Sequence, residues 1–240
     1  MRAYSANLSL LFGDLPLLDR PAAAAAAGFE HVESWWPFDG PTPPDDGFAR
    51  ALVAAGVRLV SLNLDAGGSN GLLVDPAAGA RFRENLNAVG ELLELTGCRI
   101  VNALYGNGKR SALADERLAL VVESLDATVV LETLNVHDTP AYALTDVHET
   151  ARVVEDVGKR CGTGDLGLLV DVYHLAMMGE DPAAVLRRYA PLVRHVQFAD
   201  VPGRGGPGTG TLDFALLERT LDEIGYQGFI GLEHRKGVPS

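Results

Sequence analysis

Four residues with oxygen-bearing side chains fall at or near the ends of short apolar runs in the second half of the chain. Glu132 closes Thr128-Val-Val-Leu-Glu132, and Asp171 closes Leu168-Leu-Leu-Val-Asp171. Gln197 sits in His195-Val-Gln-Phe-Ala-Asp200, and Glu233 follows Phe229-Ile-Gly-Leu232. The runs have the β-branched and apolar composition of strands buried on both faces. Burying a carboxylate there costs on the order of several kcal/mol unless a partner or a cation compensates. Taken singly, Glu132 could swing out to solvent, and the others could pair with an arginine or cap a helix. Recurrence on successive strands brings the four groups to one place. A shared cation is the physical reason to gather three negative charges there, because it reverses their mutual repulsion.

The donor set is three carboxylates and one amide. Hard oxygen donors suit Mg²⁺ or Mn²⁺, whereas Zn²⁺ would favour His or Cys. A divalent cation chelated by a carbonyl and its neighbouring hydroxyl acidifies the proton α to the carbonyl. One glutamate can then remove that proton and a second can deliver one to the adjacent carbon. The chemistry that fits is an aldose–ketose type isomerisation through an enediolate, with no organic cofactor. His174, in Asp171-Val-Tyr-His174, can reach the same place from an unwinding strand end and hydrogen-bond a substrate oxygen. The alternative is a loop histidine tied to a backbone carbonyl. Arg204 stands in the glycine-rich loop Asp200–Gly210, where backbone could approach a small anion and Arg204 could clamp it. Trp35 and Trp36 either wall a pocket or pack between helices.

Short apolar strands alternate with longer helical patterns along the whole chain. Strands are expected at Tyr4–Asn7, His31–Ser34, Val57–Leu64, Arg99–Leu104, Thr128–Leu131, Leu166–Val172, Val193–Ala199 and Phe229–Glu233. Helices are expected at 14–27, 48–55, 77–95, 112–124, from a cap at Asp146 to Lys159, at 181–189 and at 213–224. Strict alternation demands parallel pairing, and eight units predict a single (β/α)8 barrel domain over residues 1–240. An open doubly wound sheet is the runner-up, but it usually carries a Gly-rich fingerprint after its first strand, and Ser5–Asp14 has none. In a barrel, reactive groups collect at the carboxyl ends of the strands, where the four candidates lie.

With 240 residues, 47% hydrophobic and 22% charged, the chain has the composition of a soluble globular protein. Its net charge of −12 and its lack of a basic cluster beyond Arg187-Arg188 and His234-Arg235-Lys236 argue against nucleic acid and anionic membranes as partners. Cys98 and Cys161 are far apart and have no CxxC pairing, so reduced thiols are expected. No signal-peptide pattern and no membrane-spanning apolar run are evident, which makes a cytoplasmic location the default.

These residues sit in segments that resemble the hydroxypyruvate isomerases of the xylose-isomerase-like barrel superfamily. The matching segments are Ser5-Ala-Asn-Leu-Ser-Leu-Leu-Phe-Gly13, Val101-Asn102, Leu131-Glu132 with Leu134-Asn135, Asp171-Val-Tyr-His174 and His195-Val-Gln-Phe-Ala-Asp200. Arg204-Gly205, Pro207-Gly-Thr-Gly210 and Gly231-Leu-Glu233 complete them. The resemblance implies a metal held by Glu132, Asp171, Gln197 and Glu233, with Glu132 and Glu233 as the proton donor/acceptor pair. The substrate it implies is a small hydroxy-keto acid, which His174, Arg204, Asn63 and Asn102 are expected to contact. That substrate would be hydroxypyruvate, giving tartronate semialdehyde, or a relative such as a 2-oxo-tetronate. Relative to that family, the segment before Thr128 is shortened by about two turns of the fourth helix, or roughly 10 Å. The eighth helix is expected to be short or missing. Both shortenings should expose apolar barrel surface that a second copy of the chain could cover. An epimerase or isomerase of larger sugars and a degenerate barrel without catalysis remain as alternatives. A repair nuclease of the same superfamily would want a His-rich zinc cluster and a basic face.

Overall fold

The computed structural model describes residues 3–236. Its eight strands are β1 (Tyr4–Asn7), β2 (His31–Ser34), β3 (Arg58–Asn63), β4 (Ile100–Asn102), β5 (Thr128–Glu132), β6 (Leu166–Asp171), β7 (Val193–Phe198) and β8 (Ile230–Leu232). They close in chain order, every neighbouring pair is parallel, and β8 is hydrogen-bonded back to β1. The expected closed barrel is present, and the open sheet is excluded.

The period of two along each strand sorts its side chains into two populations. Val129 and Leu131 of β5, and Leu168 and Val170 of β6, join the apolar layer between barrel and helices. Val130 and Glu132, and Leu169 and Asp171, therefore turn inward. β6 and β7 place Asp171 opposite Gln197, and β7 and β8 place Gln197 opposite Gly231. That register gathers the strand ends at one mouth.

The helices are α1 (Leu8–Leu11), α2 (Arg20–Ala26), α3 (Gly47–Ala55), α4 (Gly79–Thr96), α5 (Ala112–Ser124), α6 (Val147–Cys161), α7 (Val172–Met177), α8 (Pro182–Arg188) and α9 (Phe214–Glu223). Most starts have a side-chain acceptor, as at Ser111, Asp146, Asp181 and Asp213. Three differences from the expected elements matter. The helix expected over 14–27 is a 3₁₀ turn at Leu17–Asp19 followed by α2, because Pro16 and Pro21 fit only before a helix or in its first turn. A short helix, α1, directly follows β1. Another, α7, directly follows β6 and carries His174, which therefore lies on a helix and not on an unwinding strand.

α5 occupies the expected span and is 13 residues long, against 18 for α4 and 15 for α6. Its buried Arg117 donates to the carbonyls of Leu72 (2.6 Å), Leu73 (3.2 Å) and Asp75 (2.7 Å), which pins the loop after β3. Among the described residues no helix follows β8, and the expectation about the remaining tail falls on 237–240, outside them. Ile230 is fully buried, and the large apolar side chains that are exposed, such as Val53 and Leu95, lie on neither β8 nor β1.

Candidate active site

Glu132, Asp171 and Glu233 are all almost completely buried at the carboxyl end of the barrel. Asp171 is the last residue of β6 and also the N-cap of α7. Its Oδ1 accepts from the Tyr173 N–H at 2.8 Å, which leaves Oδ2 for the site. The helix then sets His174 on the same face by its i,i+3 spacing. His174 Nε2 lies 3.7 Å from Asp171 Oδ2 and 3.8 Å from Glu132 Oε1. One ligand atom from each of these three residues falls within 4.8 Å of the others.

The protonation state of His174 follows from its other nitrogen. Nδ1 faces the Asn135 backbone N–H at 3.0 Å and the Asn135 Nδ2 at 2.7 Å, both of them donors. Asn135 Oδ1 accepts from the N–H groups of His137 and Asp138, which fixes that amide's orientation. Burial pushes the His174 pKa down to about 4, so the ring is neutral and its one proton sits on Nε2. His174 therefore presents a donor to the site, the property needed to hold a substrate oxygen and the wrong one for a metal ligand.

Glu132 Oε2 accepts from Asn102 Nδ2 at 2.8 Å. Burial, with the charges of Glu233 and Asp171, pushes the Glu132 pKa far above the usual carboxylate range. Glu233 accepts from Asn7 Nδ2 (2.9 Å) and Trp35 Nε1 (2.6 Å) on Oε1, and from Arg204 Nη2 (2.5 Å) on Oε2. Burial pushes it up to about 8 against the pull of Arg204. Asn7 is the counterpart of Asp171. Its Oδ1 caps α1, accepting from Ser9 and Leu10, so its Nδ2 is the end left for the carboxylates.

Arg204 Nη2 also reaches Asp171 Oδ2 at 3.2 Å, and the guanidinium lies 5.1 Å from the centre of the Tyr173 ring. Burial works against its charge, but Glu233, Asp171 and Glu132 more than offset that. Arg204 adopts a left-handed φ of 60°, a costly conformation for a non-glycine residue that the surrounding loop must hold. The loop does so through Asp200, which is fully buried. Its carboxylate accepts from the N–H groups of Val201, Gly208, Gly210 and Leu212 at 2.8–3.0 Å. The amides of Gly208 and Gly210 are thereby committed to Asp200 and are not free to meet an anion.

Above these groups opens a cavity of about 410 Å³, lined among others by Trp35, Trp36, Phe38, Asn63, Arg81 and His174. Both tryptophans wall the pocket, and Asn63 faces it. Asn102 lies buried beside Glu132: its Nδ2 is committed to that carboxylate, while its Oδ1 is buried without a partner. Gln197 Nε2 is committed to Glu33 Oε1 at 2.7 Å, while Gln197 Oε1 is buried without a partner. Three crowded carboxylates and an orphaned carbonyl oxygen fit a hard divalent cation. Among the groups that sequence reasoning did not single out are Asn7 and Glu33 as partners of the site, and the donation from Trp35 to Glu233. Asn7 ends β1 and Glu33 is the penultimate residue of β2, but neither short strand is an apolar run that would make its polar residue conspicuous.

The family model for the xylose isomerase-like TIM barrel matches residues 21–239. The chain belongs to that family. Within it, a Streptomyces coelicolor protein provisionally named hydroxypyruvate isomerase is 42% identical over 253 residues, covering 98% of this chain and 91% of its own. That match places the chain in the hydroxypyruvate isomerase branch, a branch of isomerases. A 2-oxo-tetronate isomerase of Cupriavidus necator is 30% identical, covering 98% of this chain and 93% of its own. The crystal structure of a Brucella melitensis AP endonuclease of family 2 superposes with a TM-score of 0.88 at 27% identity, covering 100% of this chain and 95% of its own.

Proposed function

We propose that this chain is a metal-dependent isomerase of a small hydroxy-keto acid, with hydroxypyruvate or a 2-oxo-tetronate as substrate. The observation that carries the reading is the pairing of two buried glutamates, Glu132 anchored by Asn102 and Glu233 by Asn7, Trp35 and Arg204, both with their proton affinity raised above the usual carboxylate range, chiefly by burial. When bound, the cation supplied to Glu132, Asp171, Gln197 and Glu233 acidifies the proton α to the substrate carbonyl. One glutamate removes the proton from the hydroxyl-bearing carbon, leaving an enediolate, and the hydroxyl proton passes from that carbon's oxygen to the former carbonyl oxygen. The other returns a proton to the former carbonyl carbon, and the roles exchange in the reverse direction. His174 donates its Nε2 proton to a substrate oxygen, and Arg204 holds Glu233 and Asp171 in place. Trp35 and Trp36 keep water away from the reacting carbons. Mg²⁺ and Mn²⁺ fit the oxygen donors equally well.

The volume of the cavity favours a second reading, an epimerase or isomerase of larger sugars. It extends past the carboxylates to Asp39, Asn70 and Arg81, farther than a three-carbon acid reaches. A substrate panel separates the two. Hydroxypyruvate and 2-oxo-tetronate should turn over with added Mg²⁺ or Mn²⁺, lose activity on chelation and regain it on reloading. Turnover of ketohexoses alone would transfer the assignment to the second reading.

A further inference from the structure

Beneath the carboxylate cluster the barrel interior holds a fourth buried acid. Glu33 of β2 is 1% exposed and contacts no arginine or lysine among the described residues. Its partners come from β1 and β7: Gln197 Nε2 at 2.7 Å and Asn7 Nδ2 at 3.4 Å on Oε1, His195 Nε2 at 2.8 Å and Ser5 Oγ at 3.3 Å on Oε2. β8 makes room for it. A Cβ at Gly231 would lie 2.4–2.6 Å from the Glu33 carboxylate, so only glycine leaves that seat open. Barrels of this kind usually fill these layers with Val, Ile and Leu, which avoids the cost of a buried charge.

The value of an acid here lies in what it does to an amide. Gln197 is ambidextrous: its NH₂ end donates and its carbonyl end accepts, and only the carbonyl can face a cation. A carboxylate is acceptor-only, so Glu33 takes the NH₂ end and leaves the carbonyl end over. Gln197 Oε1 is that remaining end, buried and without a partner on a residue in register with Asp171.

We propose that Glu33 is a positioning residue that fixes the orientation of the Gln197 amide, so that its carbonyl oxygen is the atom offered to the divalent cation. The inference rests on the metal-dependent reading above and assigns to Glu33 no contact with substrate. It is a choice between two ends of one side chain, which makes it testable by exchanging the two functional groups.

The experiment is a titration of the metal-stripped full-length protein with Mn²⁺, following free Mn²⁺ by electron paramagnetic resonance, with circular dichroism as a control on folding. Glu33→Gln leaves Gln197 free to turn either end toward the site, and Mn²⁺ affinity should fall by about 10-fold or more, the usual size for an outer-shell partner. Glu33→Asp keeps the charge but shortens the reach to Gln197, and it should weaken binding similarly. The double variant E33Q/Q197E reverses the pair at constant charge. Its carboxylate at position 197 presents oxygen from either end, so affinity should return to near the wild-type value. Wild-type affinity in E33Q overturns the proposal, as does loss in E33Q with full retention in E33D, which would make charge alone the cause. Failure of the double variant to recover also overturns it. Should E33Q not fold, E33D and the double variant decide the matter. A wild-type protein that binds no Mn²⁺ would sink the metal reading itself, an outcome distinct from all of these.

Discussion

Glu132 has one firm donor, Asn102, and faces two other carboxylates, whereas Glu233 has three donors. The difference makes Glu132 the residue whose charge the metal-free site supports least. Replacing it with its uncharged isostere, Glu132→Gln, should lower kcat by about 10²–10⁴, the range for losing a positioned acid–base group. The metal-free variant should also melt higher than wild type in a thermal scan, because a buried repulsion has been removed. A lower melting temperature would show that Glu132 is paired in a way the hydrogen bonds do not reveal. His174 offers a second test. Asn135→Ala removes one of the two donors that keep the proton off Nδ1, and kcat should fall about 10-fold with the fold unchanged. At this scale the strand-end carboxylates were legible from sequence because an acid ending an apolar run is conspicuous. The amides that orient them were not, since Asn7 and Asn102 reveal their roles only once neighbouring strands are in register.

The elements that carry the site are held from outside it. Asp200 ties the loop bearing Arg204 through four backbone donors, so Asp200→Asn, with one acceptor oxygen fewer, should raise KM for the keto acid more than it lowers kcat. A steady-state comparison of the two constants checks this. α5 acts on the opposite wall. Arg117→Met strips three carbonyls of the cavity loop of their donor and should cost about 3 kcal/mol, read as a fall in melting temperature of roughly 6–12 °C. The strands and most helices were legible in the alternation of apolar runs and in capping residues such as Ser111, Asp146 and Asp213. The two short helices after β1 and β6 were not. Each is fewer than seven residues long and takes its cap from a strand-final residue, Asn7 or Asp171, so neither shows a helical period of its own. The glycine-rich loop was open to a close approach of backbone to an anion, but sequence does not say what approaches, and two of its amides turn to Asp200.

The whole molecule carries a net charge of −12, with its buried acids concentrated inside the barrel. Its fold is shared with proteins of different named activities, an AP endonuclease among them, so fold alone assigns no chemistry. Charge separates the cases. Fluorescence anisotropy with duplex DNA, abasic or intact, should show no binding at micromolar protein near 0.15 M salt; tight, salt-dependent binding would contradict the reading. No helix among the described residues is long and apolar enough to cross a membrane. The central claim is proton transfer between two glutamates, and isotopic labelling addresses it most directly. The metal-loaded protein is given hydroxypyruvate in D₂O, and the product is trapped by reduction and compared with an enzyme-free control. A relay through Glu132 and Glu233 exchanges with solvent, so solvent deuterium should appear on the newly protonated carbon, and both Glu132→Gln and Glu233→Gln should abolish it. A product that keeps the hydrogen of the neighbouring carbon, with no deuterium above the control, would mean a hydride shift and contradict the account.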